Sequence, residues 1–146
     1  PSAIRPWQHV LSLCHGYLVL AAGLLDKPAS HIGAWNLGPS ADNPAPVGAV
    51  VEAMARVWSA ARIEYEPSGL AEAQLLALDS TKAHEQLGWR PPWSLQKVLE
   101  KTAEWYRDYH ETSTDARVLI GRQLAEYRGG VAEVSRAVGA RSWIST

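Results

Sequence analysis

The chain has 146 residues, with 14 Lys and Arg against 15 Asp and Glu, giving a formal net charge of −1. At 47% hydrophobic it can bury a single-domain core, while near-neutral charge without a basic run argues against nucleic acid and anionic membranes as partners. The one cysteine, Cys14, allows no internal disulfide and points to a reducing compartment, so a cytoplasmic location is expected.

Arg5 leads into Trp-Gln-His and not into an apolar run with a small-residue cleavage site, so the first residues do not read as a signal peptide. Residues 10–25 are the most apolar window. Val10, Leu13, Cys14, Tyr17, Leu18, Ala21, Leu24 and Leu25 form one helical stripe, and Leu11, Val19 and Leu20 make the opposite side apolar too, which predicts a helix covered on more than one face. The window contains His15 and falls short of the ~20 residues a bilayer span needs, so it reads as a buried or interfacial helix.

Residues 34–38 read as a short strand and residues 40–46, with two prolines, as a turn-rich loop. Val47, Val50, Val51, Met54, Val57 and Trp58 define the next helix, and residues 63–66 and 75–79 suit two further strands. Strands this short need neighbours to pair with. Ser80 stands where an N-cap hydroxyl takes an orphan backbone N–H, assisted by the Asp79 carboxylate. Gly88 ends the helix that follows, Pro91 and Pro92 forbid its continuation, and Ser94 caps a new one. Leu95, Val98, Leu99, Thr102, Trp105, Tyr106 and Tyr109 then lie at helical spacing on one face, which needs a core to cover it. A last amphipathic helix starts near Asp115 with Leu119, Ile120, Leu124 and Tyr127 on one side, and Gly129-Gly130 is expected to break it. Residues 129–146 are then a C-terminal extension, read as an extra helix or a frayed tail. Seven tryptophans and no phenylalanine suit either ring stacking on a ligand or packing, and packing is expected for Trp58, Trp89 and Trp105.

Three blocks carry a resemblance. Asp79-Ser80-Thr81-Lys82, Leu87-Gly88-Trp89-Arg90-Pro91 and Lys101-Thr102-Ala103-Glu104-Trp105-Tyr106 look like the C-terminal part of nucleotide-sugar dehydratases and epimerases, the extended short-chain dehydrogenase/reductases. Ile4-Arg5-Pro6-Trp7-Gln8-His9-Val10-Leu11, followed by Gly16-Tyr17-Leu18, is similar to the dehydratase branch acting on CDP-glucose, whereas relatives for other nucleotides carry Arg-Asp-aromatic at that place. The blocks Ala34-Trp35-Asn36-Leu37-Gly38-Pro39 and Glu72-Ala73 agree. The likeness spans about residues 1–128, which it implies to be a substrate-binding portion. The fold class it implies is α/β and helix-rich, with a few short strands and with the Rossmann part absent. The chain departs from the usual pattern at Ala71, where relatives carry His, at Ala77, where they carry Lys, and at Ser12-Leu13 for Glu-Pro.

For an intact enzyme the resemblance implies a redox-neutral dehydration of a CDP-sugar: hydride leaves sugar C4 for NAD, water is lost across C5 and C6, and hydride returns to C6. Such enzymes hold NAD on a Rossmann domain with a glycine-rich turn and use a Tyr-x-x-x-Lys pair. None of Tyr17, Tyr65, Tyr106, Tyr109 or Tyr127 has lysine four positions on, and no glycine-rich dinucleotide turn occurs. The resemblance therefore assigns NAD and the catalytic residues to a part outside this sequence, and implies a homo-oligomer when intact.

What remains here is substrate binding. Arg5 is the foremost candidate, because its forked guanidinium suits a diphosphate and relatives use an arginine there. Trp7, Gln8 and His9 share its motif and are candidates for the nucleotide pocket, and Glu72 stands where relatives touch the nucleotide sugar. Each also has an ordinary alternative as a structural or solvated side chain. His9, His15 and His84 make no recognised metal spacing, so no metal is expected. Another nucleotide-sugar dehydratase or epimerase, or a non-enzymatic helical interaction module, stays open beside the main reading.

Overall fold

A computed structural model describes residues 1–39, 43–66 and 73–137. In chain order these form β1 (Ile4–Pro6), α1 (Val10–Asp26), α2 (Pro28–His31), β2 (Pro44–Pro46), α3 (Val47–Val57), α4 (Thr81–Gln86), α5 (Leu95–Glu111) and α6 (Ala116–Ala137). The helix-rich expectation holds for the described residues. β1 and β2 pair antiparallel, with Arg5 opposite Ala45, and a single parallel bridge joins Ile4 to Leu75 on the other edge of β1.

Local chemistry sets the boundaries where it was expected to. Gly88 adopts φ +64° just past α4, a left-handed turn that a side chain resists, and Trp89 N–H returns to the Ala83 carbonyl. The Ser94 hydroxyl accepts the Lys97 N–H and opens α5. Asp79 takes the Thr81 N–H at 2.9 Å, while the Ser80 hydroxyl is diverted from its own helix and accepts the Gly38 N–H at 2.8 Å. The expectation of a Ser80 side-chain cap is thereby corrected.

That diversion also explains why residues 34–38 are not a strand. Side chains tie this segment alongside residues 79–82 in place of a ladder: Ser80 bonds Gly38, Asn36 Nδ2 donates to the Asp79 carbonyl, and Lys82 Nζ donates to the Ala34 carbonyl. Residues 63–66 are exposed coil without a pairing strand among the described residues, and the third expected strand shrinks to the Leu75 bridge. Conversely, part of the expected loop at 40–46 pairs as β2. Its two prolines fit an edge strand, which tolerates missing donors.

Three small buried clusters replace one core. Trp93, Val98, Tyr127 and Val131 join α5 to α6; Leu37, Ala83 and Trp89 join α4 to α1; Ala45, Val50 and Leu99 join α3 and β2 to α5. Glycine 129-130 does not break α6. Its helical register brings Tyr127 and Val131 to the buried side, and a Cβ on Gly130 would lie 3.1 Å from Pro92 Cβ, so the small residue permits close approach. The part of the chain from residue 138 on lies outside the described residues.

On α1 the expected double cover is corrected. Ser12 and Gly16 are buried, and Leu11, Leu13 and Val19 pack on the clusters beneath them. The broader stripe faces outward, with Val10 65%, Leu18 71% and Leu25 88% exposed and Cys14 and Tyr17 beside them. A contiguous apolar face of this kind marks an interaction surface. The chain of residues 1–146 is therefore expected to bind a hydrophobic dye and to self-associate, and Leu18→Glu with Leu25→Lys should suppress both without lowering the melting temperature. A monodisperse wild-type monomer across a sedimentation concentration series, with no dye binding, would contradict this.

Candidate substrate-binding site

Arg5 lies at the centre of β1, between the β2 pairing on one edge and the Leu75 bridge on the other. Its Nη1 donates to the Ile4 carbonyl at 2.8 Å and the Ala73 carbonyl at 2.9 Å, so the guanidinium is anchored to the end of the segment that leads from Glu72. Glu72 itself lies outside the described residues. The half-buried setting and the two fixed carbonyl contacts restrict the rotamer freedom that a long arginine otherwise loses on engaging an anion.

The other candidates along the same motif are committed to the fold. Trp7 Nε1 donates to the Ala45 carbonyl at 2.9 Å, and its ring packs on the Ala45, Val50 and Leu99 cluster. Gln8 Nε2 donates to the Leu37 carbonyl at 2.7 Å, while its Oε1 is buried without a partner. His9 is buried and caps α1: its Nδ1 accepts the Leu11 N–H at 3.2 Å, and its ring meets Trp93 edge-on at 4.9 Å. Burial holds its imidazole below the ordinary histidine range although the neighbouring Gln123 side chain favours the charged form, and burial does the same for His15. The motif thus separates: Arg5 and Trp7 belong to the small sheet, and Gln8 and His9 turn toward the helices.

Gln8 and His9 form part of a cleft of about 450 Å3 with Leu11 of α1, Trp105 and Tyr106 of α5 and Gln123 of α6. Sequence spacing alone did not reveal it, because its walls come from three helices and only their packing joins them. A second cleft of about 700 Å3 between α3 and α5 is lined by Arg56 of α3 and by Glu100, Glu104 and Arg107 of α5. Arg5 lines neither.

The described residues do not fit a dinucleotide. The positive-φ glycines, Gly33 and Gly88, follow short helices and do not open one, and β1–β2 is an antiparallel pair without a parallel crossover. Nor do three or more His, Cys, Asp or Glu side chains gather in a metal-holding group among the described residues. No helix among them is long and apolar enough to cross a membrane.

Comparison with known proteins bears on the class. No protein-family model matches the chain. It is 33% identical over 129 residues to a CDP-glucose 4,6-dehydratase of Salmonella typhimurium, an alignment covering 87% of this chain and 36% of that protein. It is 34% identical over 106 residues to a UDP-glucose 4-epimerase of Yersinia pestis, covering 71% and 30%, and 29% identical over 111 residues to one of Mycoplasma pneumoniae, covering 75% and 32%. The chain therefore belongs with the nucleotide-sugar dehydratases and epimerases. Within that group its most extended alignment among these three is to the CDP-glucose 4,6-dehydratase. It spans about a third of the length of these curated relatives.

The internal bond of Gln8 is directly testable. Gln8→Leu leaves the Leu37 carbonyl without its donor, at an expected cost of about 1–3 kcal/mol of stability measured by chemical denaturation. A variant as stable as the wild type would return Gln8 to the list of candidates with no structural duty.

Proposed function

We propose that this chain is the substrate-binding portion of an NAD-dependent nucleotide-sugar 4,6-dehydratase that converts CDP-D-glucose to CDP-4-keto-6-deoxy-D-glucose, and that it is inactive alone. The observation that carries the reading is the 129-residue alignment with the CDP-glucose 4,6-dehydratase, which includes most of the chain. The motif from Ile4 to Leu11, with Pro6 after the arginine, favours the CDP-sugar branch over the epimerases. NAD and the acid–base groups belong to the rest of the whole protein in this reading, consistent with the poor fit of the described residues to a dinucleotide.

The contribution of these residues is orientation. A diphosphate held away from the reacting carbons fixes the sugar relative to the groups that remove its proton and its hydroxyl, and remote binding of this kind lowers the entropic part of a barrier. Arg5 is the residue assigned to the diphosphate, and its anchorage through Ile4 and Ala73 presents the guanidinium in one orientation. The carbonyl ties of Trp7 and Gln8 and the cap bond of His9 make them supports of that strand and its exit, with no direct hydrogen-bonding role toward the base required.

Steady-state kinetics of the full-length protein test the assignment. Arg5→Ala removes a charge-assisted contact worth roughly 1.5–3 kcal/mol, so KM for the CDP-sugar should rise about ten- to a hundredfold with a smaller change in kcat. Arg5→Lys should restore only part, since an ammonium lacks the fork. An unchanged KM accompanied by a lower melting temperature would make Arg5 a structural tie between β1 and Ala73. Side-by-side titration with CDP-, UDP-, dTDP- and GDP-glucose separates the dehydratase reading from the epimerase one, with tightest binding expected for CDP-glucose.

A further inference from the structure

The histidines between α1 and α6 do more than fill space. His9 Nδ1 accepts the Leu11 N–H, which is the N-cap bond of α1. That bond assigns one neutral tautomer, with Nδ1 the acceptor at the cap and the proton on Nε2. A proton on Nδ1 turns that acceptor into a donor facing a donor, and puts a positive charge at the positive end of the α1 dipole.

No charge on the surrounding elements offsets this. Against His9 stand Trp93, Gln123 and Thr102 across the cleft; against His15 stands Tyr127 of α6, with its hydroxyl 3.5 Å from Nδ1. Burial pushes the Tyr127 phenol up to about 12, so it remains an uncharged donor to His15. The nearest charged groups on α5 and α6, Lys97, Lys101, Glu104 and Glu126, pair with one another: Lys97–Glu126 at 2.7 Å, Lys101–Glu126 at 3.0 Å and Lys101–Glu104 at 2.8 Å. Among the described residues no carboxylate reaches either imidazole.

We propose that His9 is a proton-sensitive clasp, whose protonation removes the acceptor that holds the first turn of α1 and loosens that turn where it lines the cleft. The sign follows from burial: the folded state disfavours the imidazolium relative to the unfolded chain, whose histidine titrates near 6.5. The clasp is thus complete above that value and weakens as pH falls below it. This does not depend on the dehydratase reading.

Nitrogen-15 spectra of the wild-type chain at neutral pH should give His9 as the Nε2–H tautomer; the Nδ1–H tautomer overturns the proposal without any variant. Hydrogen exchange, corrected for its intrinsic pH dependence, should show protection of the Leu11 amide falling by up to about tenfold relative to α3 between pH about 7.5 and about 5.5, one unit below the unfolded value. His9→Asn keeps a capping acceptor that does not titrate, and should remove most of that loss. Protection that does not change with pH in the wild type overturns the proposal. So does an undiminished loss in His9→Asn, including one abolished only by His15→Phe, which would assign the response to His15.

Discussion

Trp89 is the largest side chain that the fold buries completely, at 1% exposure, and most of the architecture follows from where its ring must go. Burying an indole removes roughly 150–250 Å2 from water, worth about 4–6 kcal/mol. That exceeds the ~1–3 kcal/mol cost of its Nε1, which is buried without a partner. The ring reaches its place because Gly88 turns the chain left-handed immediately before it. It meets Leu37 from below and α1 from above, where Gly16 leaves room: a Cβ there would lie 2.9 Å from Leu37 Cδ1 and 3.1 Å from Trp89 Cε2. One side chain thus fixes the approach of α1, α4 and the 34–38 segment.

From that junction the chain has one route onward. Pro91 and Pro92 prevent α4 from resuming, Ser94 opens α5, and α5 then buries Leu99 toward α3 and β2 and Val98 toward α6. Both other clusters hang from this helix. The ion pairs of Lys97 and Lys101 with Glu126 add registration between α5 and α6, but with Glu126 42% exposed they are worth little beside the apolar contacts. The arrangement leaves the outer face of α1 bare.

Features written in local chemistry could be read from residues alone: the Gly88 stop, the proline pair, the Ser94 cap, the Asp79 bond to Thr81 and the start of α6 beside Asp115, whose carboxylate accepts the Arg117 N–H. Strands could not, because a strand exists only where a partner does. Residues 34–38 have strand-like composition yet spend backbone groups on Ser80, Lys82 and Gln8 side chains, whereas proline-bearing residues 44–46 pair because β1 lies beside them. On α1 the apolar pattern was visible on both sides, but hydrophobicity does not say which side is covered; the small residues Ser12 and Gly16 did, by marking where close approach occurs. At the site, the type of Arg5 pointed to anion recognition. The internal commitments of Trp7, Gln8 and His9 depend on carbonyls 29 to 38 positions away and on the Trp93 ring, which no local motif encodes.

In the proposed reading these residues orient a nucleotide sugar, and the dinucleotide is held by another part of the whole protein. Calorimetric titration of residues 1–146 with NAD tests that division most directly. The account predicts no saturable heat in the micromolar range; a micromolar dissociation constant for NAD on this chain alone would contradict it.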